Sequence, residues 1–336
     1  MKGPGKSQRG IALFLVLWVM ALLTVIAGEF GYAVRNELNV TRNFKEETES
    51  YYIAVSGLFW AVQELVVNEY ILRPVSAPGK DEAPEDIRWR INTDIPPVPF
   101  AGGQFKVVKE NESGKVNLNR ASAPLLRMML NGMQIADGEK DIIVDSIQDW
   151  RDSDSLHRVN GAEDDYYRSL PRPYKARNGD FTSVDELLLV RGVTPRLFQE
   201  GLRDMVSVYQ EEPAARGSGA GAGIDYGRIN INAASLAMLR SLPRMTEEAV
   251  QAIAAYRKQR DFRSMIELSQ VIGTEIFTGI APFITLIPGP YYTIKSVGMP
   301  KESRIRRGVQ AVVKIDKRLK KGYEIIQWID DLEYRS

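Results

Sequence analysis

The amino-acid sequence predicts an α+β protein in which a long N-terminal helix lies on a small antiparallel sheet. Three observations predict this fold class. An apolar run near the N terminus continues as a helical pattern to residue 73. Strand-like alternation occurs in residues 104–110 and returns in residues 291–329. The residues between these runs are helical in pattern and contain an internal repeat, so we expect a large all-helical domain inserted into the sheet.

The apolar run, from Ile11 to Gly28, predicts a transmembrane helix. As a helix it would be about 27 Å long, close to the thickness of the hydrocarbon core of a bilayer. The residues before it contain no acid and three basic residues, Lys2, Lys6 and Arg9. The positive-inside rule therefore predicts a cytoplasmic N terminus and a single pass. An ordinary signal anchor is an alternative, whereas a secretory signal peptide is disfavoured because the run is long and no small-x-small cleavage site follows it.

The helical pattern continues outside the membrane. From residue 29 to residue 73, apolar residues fall mostly at three- and four-residue spacings among charged ones, and Pro74 ends the pattern. Residues 74–113 would form the first part of the sheet region, starting with loops rich in proline and acid. Within it we expect one short strand around Arg88–Ile91 and an edge strand over residues 104–110.

The C-terminal residues 291–336 complete the predicted sheet. Three strand-like runs, Tyr291–Val297, Arg306–Ile315 and Gly322–Ile329, are separated by turn residues. In the second run, alternate apolar residues would share one face, as a half-buried strand requires. A long helix on a small antiparallel sheet resembles the pilin architecture.

Composition limits the classes of function. The 44 basic and 43 acidic residues give a formal net charge of +1, so no long-range field would attract nucleic acid or an anionic surface. The chain has no cysteine, so no disulfide can form. Stability must come from packing, for which 44% apolar residues suffice, or from a metal.

The central region contains two related copies. The sequence Gly114–Ser122 returns as Gly227–Ser235, 113 residues later, whereas Phe181–Gly192 returns as Phe262–Gly273, only 81 residues later. Copy 1 therefore contains 32 additional residues, 25 of which follow the pairing of Trp150-Arg151 with Tyr256-Arg257. We expect copy 1 to cover residues 114–210, a linker residues 211–226 and copy 2 residues 227–290.

Each copy resembles a helix-hairpin-helix module, with the hairpin of copy 2 at Ser241–Thr246. In members of that class that bind nucleic acid, hairpin glycines let backbone N–H groups approach a phosphate. Arg244 stands where such a glycine would be. We therefore expect a compact packing unit for protein contacts and no nucleic-acid partner.

The additional residues of copy 1 are acidic. Calcium takes six to eight oxygen ligands in flexible geometry, which suits scattered carboxylates, and one histidine with no cysteine argues against zinc. The candidate ligands are Asp152, Asp154, Glu163 and Asp164, with Asp149 and Asp165 in reserve. Apolar and aromatic residues among them would anchor the loop to the domain: Leu156, Tyr166, Tyr167 and Leu170. The spacing is not that of an EF-hand, and a solvated acidic loop is the alternative.

The N terminus resembles the processing site of type IV pilins and pseudopilins. In that family a membrane peptidase cuts after a glycine that follows a basic leader and directly precedes the apolar run, and the new N terminus is methylated. The resemblance implies a prepilin leader over residues 1–10 and cleavage between Gly10 and Ile11. Residues 11–28 would then be the transmembrane part of the helix, and residues 29–73 its periplasmic part.

Taken together, the leader, the repeat and the acidic insert resemble the minor pseudopilin K family of the type II secretion system over essentially the whole chain. The most specific segments are Lys115–Asn119, Asp149–Asp152, Gly161–Tyr167 and Ser183–Gly192. The resemblance implies anchoring in the bacterial inner membrane with periplasmic C-terminal domains, and calcium in the insert. The implied partners are the minor pseudopilins I and J, other pseudopilins, the prepilin peptidase and inner membrane lipid.

The fifth residue after the expected cleavage is Leu15, where most pilins have glutamate. This departure matches the K family, and we expect it to specify the tip of the filament. The expected function is therefore to cap the periplasmic pseudopilus and help initiate it, so that folded proteins can be exported. A membrane-anchored DNA-uptake protein is the alternative. No catalytic set of residues is evident in the sequence, so we expect no enzymatic activity.

Overall fold

The computed structural model describes residues 9–70, 89–91, 93–210 and 225–330, without the side chains of residues 9–11 and 68–70. The helices are α1 (Arg9–Tyr70), α2 (Ala123–Leu130), α3 (Asp137–Arg151), α4 (Asp164–Arg168), α5 (Pro195–Leu197), α6 (Arg203–Met205), α7 (Leu236–Ser241), α8 (Glu247–Gln259), α9 (Met265–Ile272) and α10 (Thr274–Ile280). The strands are β1 (Val98–Phe100), β2 (Gly103–Asn111), β3 (Val116–Asn117), β4 (Val206–Ser207), β5 (Ile229–Asn230), β6 (Ile284–Thr285), β7 (Tyr291–Pro300), β8 (Arg307–Ile315) and β9 (Tyr323–Asp330).

Helix α1 is continuous over 62 residues, about 93 Å at the usual helical rise. Its N-terminal part is apolar and exposed, and α1 is long and apolar enough to cross a membrane. From Ser50 onwards one face of the helix is buried against the sheet. The predicted end at Pro74 and the predicted leader residues 1–8 lie outside the described residues.

The sheet has five strands in the order β1-β2-β7-β8-β9, and every neighbouring pair is antiparallel. The three C-terminal strands confirm the runs expected from the sequence to within three residues at each end. Residues 104–110, predicted as an edge strand, lie instead inside the sheet, because the short strand β1 pairs with the outer side of β2. The strand expected around Arg88–Ile91 is not formed by the described residues 89–91, which form a turn.

Helix α1 approaches β7 closely because two glycines lie at the contact. A Cβ atom on Gly57 would lie 2.5 Å from Ser296 Oγ and 2.6 Å from the Phe105 ring. A Cβ atom on Gly298 would overlap the carbonyl oxygen of Ser50. Around this contact the core of helix and sheet includes Ile53, Leu58, Val62, Val107, Ile294, Val309 and Val313.

The inserted domain is mainly helical but contains two short parallel strand pairs, so the expectation of an all-helical domain is wrong in this detail. Strand β3 pairs with β4 in copy 1, and β5 pairs with β6 in copy 2. In each copy the first residues pair with the segment that leaves the copy, which satisfies the backbone polar groups of both segments as they become buried.

Equivalent hydrogen bonds hold the two copies in the same conformation. Asn119 accepts from the Phe181 N–H and donates to the Phe181 carbonyl, and Asn232 makes the same pair of bonds with Phe262. Arg151 donates to the carbonyls of Leu118 and Ala121, and Arg257 donates to the equivalent carbonyls of Ile231 and Ala234. These contacts join residues that the sequence repeat had already paired: Asn119 with Asn232, Arg151 with Arg257, and Phe181 with Phe262.

The two copies pack in a reciprocal way. Gly114 of copy 1 is so close to the Ala233 backbone of copy 2 that a side chain would overlap it. Gly227, its equivalent in copy 2, lies against Arg120 of copy 1, with 3.5 Å between a would-be Cβ and the Arg120 carbonyl oxygen. Because Arg120 and Ala233 are themselves equivalent in the repeat, the copies are related by an approximate two-fold axis, as the subunits of an isologous dimer are.

The inserted domain joins the sheet at the end farthest from the apolar part of α1. It leaves the sheet after β2 and returns at Tyr291, while Glu47, nearer the apolar part of α1, pairs with Arg307 at the opposite end of the strands. Polar contacts between the inserted domain and the region of helix α1 and the five-stranded sheet include Arg90 with Asp261 at 2.6 Å, Tyr209 with Gln327 at 2.7 Å, and the Tyr291 hydroxyl with the Gln210 carbonyl at 3.0 Å.

Candidate functional site in the acidic loop

The acidic loop, residues 152–163, connects the end of α3 to the start of α4. Both ends of the loop are fixed by packing. Trp150 in α3 stacks edge-on against Tyr167 in α4, with 5.2 Å between the ring centroids, and Tyr167 is fully buried. The loop therefore starts and ends on rigid elements, which is the arrangement that a binding site requires.

Three of the predicted ligands are brought together by the structure. One carboxylate oxygen from each of Asp152, Asp154 and Glu163 lies within 4.8 Å of those from the other two. Asp152 directly follows α3, Asp154 lies two residues further on, and Glu163 directly precedes α4 without a side-chain bond to the helix N terminus. The loop between them turns back on α3, so carboxylates that are eleven residues apart in the sequence become neighbours.

Glu163 is the most unusual group of the three. Only 2% of this residue is exposed, yet neither carboxylate oxygen accepts a hydrogen bond from any residue that the structure describes. Burial raises the pKa of Glu163 to about 7, and the negative charges of Asp149, Asp152, Asp154 and Asp164 raise it in the same direction. A buried carboxylate without a partner is costly, so this position fits a cation that is not part of the polypeptide.

The other predicted ligands are placed differently. Both oxygens of Asp164 are bonded, one by Arg168 at 2.7 Å and the other by the Ala176 N–H at 2.9 Å. Asp165 is exposed in the first turn of α4. Asp149 is fully buried and bonded to Arg158. None of these three belongs to the group of neighbouring oxygens in the described part of the chain.

Asp149 is held against the loop by Arg158 and Gly161. Arg158 Nη1 donates to Asp149 Oδ1 at 2.5 Å, and the Arg158 backbone N–H donates to Oδ2 at 3.1 Å. A Cβ atom at position 161 would overlap Oδ2, so only glycine allows this approach. Burial raises the pKa of Asp149, and its bonds to Arg158 oppose that effect.

Sequence reasoning missed the roles of Arg158 and Gly161 and misplaced Leu156. Arg158 is the only arginine or lysine among residues 152–163, which was a signal that the sequence offered. Leu156 is 81% exposed and does not anchor the loop; its backbone N–H donates to the Asp154 side chain at 2.8 Å. Tyr166, Tyr167 and Leu170 do pack against the domain core, as expected.

The sites predicted at the N terminus lie on α1. The backbone of Gly10 and Ile11 is helical, and the leader before Arg9 lies outside the described residues. The Leu15 side chain is 57% exposed, and its apolar neighbours along this part of the helix are exposed as well. Such a surface is suited to lipid or to the helices of other subunits.

The copy 2 hairpin contains a residue with a left-handed backbone. Arg244 has φ of +58°, so an arginine occupies the left-handed conformation that glycine usually takes. Gly192 and Gly273, which are equivalent in the repeat, have φ of +87° and +84°. Acidic side chains lie near the copy 2 hairpin, with Glu275 3.8 Å from Arg244.

Comparison with known protein families matches the two copies separately. Residues 106–211 match the family model for the type II secretion system (T2SS), protein K. Over this segment the chain is similar to protein K of the type II secretion system. Residues 225–285 match the model of the helix-hairpin-helix motif. These models describe a secretion-system component and a structural motif, and neither is an enzyme family.

Curated protein K sequences are similar to the chain over much of its length. Type II secretion system protein K of Aeromonas hydrophila is 28% identical over 213 residues, covering 57% of this chain and 61% of the relative. The protein K of Pseudomonas aeruginosa is 25% identical over 279 residues, covering 77% and 75%. The match to the Aeromonas relative thus spans about three fifths of its length.

The fold is similar to that of a chain in a solved complex. A chain in the crystal structure of the GspK-GspI-GspJ complex from the type 2 secretion system of enterotoxigenic Escherichia coli superposes with a TM-score of 0.57. The similarity covers 87% of this chain and 99% of that one, at 14% sequence identity. The α+β fold, with a long helix on an antiparallel sheet and a helical domain containing the hairpin motif, is therefore confirmed.

Proposed function

We propose that this protein is a minor pseudopilin of the type II secretion system, which caps the tip of the periplasmic pseudopilus and helps to initiate its assembly. The observation that carries the proposal is the position of the inserted domain. It lies at the end of the sheet farthest from the apolar part of α1, the end that points away from the membrane. A domain of this size at that end would obstruct the addition of a further subunit above it.

The membrane part of α1 supports the same position. In pilin-like filaments, the glutamate at the fifth mature position would pair with the positive N terminus of the neighbour nearer the tip. A carboxylate in hydrocarbon is costly without such a partner. Leu15 has no charge and needs no neighbour above it, while the mature N terminus at Ile11 can still receive a glutamate from below.

The partners that fit this role are the minor pseudopilins I and J and other pseudopilins, with the prepilin peptidase acting between Gly10 and Ile11. The solved complex that contains a chain of similar fold is made of GspK, GspI and GspJ. We propose a location in the bacterial inner membrane, with the N terminus in the cytoplasm and the C-terminal domains in the periplasm. The basic residues before the apolar run support this orientation.

We propose a structural and not a catalytic role. The alternative, a DNA-uptake protein, draws support from the hairpin motif alone. Arg244 stands where nucleic-acid-binding members have a hairpin glycine, and its guanidinium lies 3.8 Å from the Glu275 carboxylate, which balances its charge. The protein K similarity of copy 1 favours secretion.

We propose that calcium binds Asp152, Asp154 and Glu163. One oxygen from each of these residues lies in the cluster, and both oxygens of Glu163 and Oδ1 of Asp152 are buried and accept nothing from the described chain, which fits a hard divalent cation. When bound, the ion would supply the positive charge that the cluster lacks. Asp152 and Glu163 would then hold the end of α3 and the start of α4 together, so the loop would present a fixed surface to partner subunits.

The experiment that tests the main proposal is complementation of a strain that lacks the gene. The full chain should restore export of folded proteins to the medium, and a tagged chain should be found at filament ends when the pseudopilus is lengthened by overproduction of its major subunit. Normal secretion by the deletion strain, or tag distributed along the whole filament, would contradict the proposal.

A further inference from the structure

Arg158 connects two carboxylates at the edge of the acidic cluster. Its Nη1 atom lies 2.5 Å from Asp149 Oδ1 and 2.6 Å from Asp152 Oδ2, so one nitrogen bridges both side chains. The Arg158 carbonyl accepts from the Gly161 N–H at 3.0 Å, which closes the turn that carries the arginine. The guanidinium is therefore fixed from two sides.

Some carboxylate oxygens of the loop are bonded to Arg158, whereas others are buried and have no partner among the described residues. Both oxygens of Asp149 are bonded to Arg158, one by the side chain and one by the backbone N–H. The two oxygens of Asp152 differ: Oδ2 is bonded to Arg158, while Oδ1 is buried and accepts nothing from the described residues. Both oxygens of Glu163 are likewise buried and without a partner there.

We infer that Arg158 is a positioning residue for a divalent cation, which holds one oxygen of Asp152 so that the other is left for the ion and keeps Asp149 out of the ligand set. The inference rests on the proposed calcium site. Bonds of this kind to the outer oxygen of a ligand fix its orientation, and their loss typically weakens metal binding 10- to 100-fold.

Whether replacing Arg158 weakens or strengthens calcium binding distinguishes a positioning role from a purely electrostatic one. Arg158 carries a positive charge next to Asp152, so its charge alone disfavours a second cation nearby. If charge were all that mattered, replacing Arg158 by a neutral residue would strengthen calcium binding. If positioning dominates, the same replacement weakens binding although it removes a repulsive charge.

A matched control exists in the same segment. Arg168 pairs with Asp164 at 2.7 Å, one turn apart in α4, and Asp164 lies outside the oxygen cluster. Arg168→Gln removes the same charge from the same loop region without touching Asp152. It should leave the calcium dissociation constant unchanged or lower it slightly.

The test is titration calorimetry of calcium into the full chain in detergent, comparing the wild type, R158Q, R158K and R168Q. We expect R158Q to raise the dissociation constant at least tenfold and R158K, a shorter cation, to raise it severalfold, both with near-UV circular dichroism of a folded domain. If R158Q does not fold, R158K decides alone, since it retains a cation beside the buried Asp149. Wild-type affinity or tighter binding in the folded Arg158 variants would overturn the inference, whereas absence of calcium binding by the wild type would instead overturn the proposed site.

Discussion

Gly161 and Asp149 lie so close together that no other residue could replace the glycine without displacing the carboxylate. We predict that Gly161→Ala destabilises the protein by about 2 kcal/mol or more, because it disturbs a buried charge and its hydrogen bonds. Gly138 in α3 is the control, since a Cβ atom there would meet nothing within 4 Å. Thermal unfolding of the two variants should show a marked loss for Gly161→Ala and none for Gly138→Ala.

Calcium should stabilise the protein by mass action, because the folded state alone gathers Asp152, Asp154 and Glu163. At a free calcium concentration 100 times the dissociation constant, the gain would be about 2.7 kcal/mol. It should appear as a rise in the melting temperature of the full chain in detergent. Glu163→Gln should abolish most of this rise, while Asp165→Asn, in the exposed first turn of α4, should preserve it.

Without calcium, we predict that Glu163→Gln does not lower the melting temperature. Glu163→Gln removes a buried carboxylate that has no partner among the described residues. The metal-free variant should therefore be at least as stable as the metal-free wild type. A large loss of stability in the absence of calcium would mean that Glu163 has a role in the fold itself.

Leu15→Glu tests the electrostatic part of the tip proposal. The added carboxylate would need the positive N terminus of a neighbouring subunit nearer the tip. A fraction of the variant should therefore be found along the filament and not only at its tip, and secretion should fall. Leu15→Gln, polar but uncharged, is the control. If the glutamate variant still occupied only the tip and secreted normally, the inserted domain would have to specify the position by its bulk.

Cleavage between Gly10 and Ile11 is checked by mass spectrometry of the protein isolated from membranes. We expect the mature chain to start at Ile11, because glycine exposes the peptide bond to a protease at the membrane surface. Gly10→Val should leave the uncut precursor in the membrane. A wild-type chain that retains Met1, or starts elsewhere, would contradict processing as a pseudopilin.

Lys109 should make the free energy of unfolding rise with pH in the alkaline range. Lys109 is 3% exposed, and burial lowers its pKa to about 8, although Glu64 acts in the opposite direction. Because the folded pKa is below the unfolded value of 10.5, the unfolded state binds more protons between pH 8 and 10.5, and stability rises with pH in that window. Relative to Lys109→Met, the wild type should gain about 3 kcal/mol from pH 7.5 to 10.5.

Helix α1 and strands β7, β8 and β9 could be predicted from the sequence because each has a long and regular periodicity. The inner position of β2 could not, since it depends on β1, which has only three residues. The two-residue strands of the inserted domain are too short for any pattern.

At the acidic loop, residue type alone identified Asp152, Asp154 and Glu163. Sequence could not separate them from Asp164, whose oxygens are used by Arg168 and by a backbone N–H twelve residues away. Such pairings depend on how the loop folds back on α3. They become visible only when the elements are packed.

The equivalent hydrogen bonds of the two copies explain how one copy could acquire a long acidic loop. In copy 2 the chain between the anchored residues Arg257 and Phe262 is short, whereas in copy 1 it runs from Arg151 to Phe181. The anchors on either side are the same, so the longer segment adds little beyond loop-closure entropy. That term grows only with the logarithm of loop length and amounts to about 1.6 kcal/mol here. An insertion between fixed ends could thus diversify in sequence, and gain chelating groups, while the scaffold that supports it stayed unchanged.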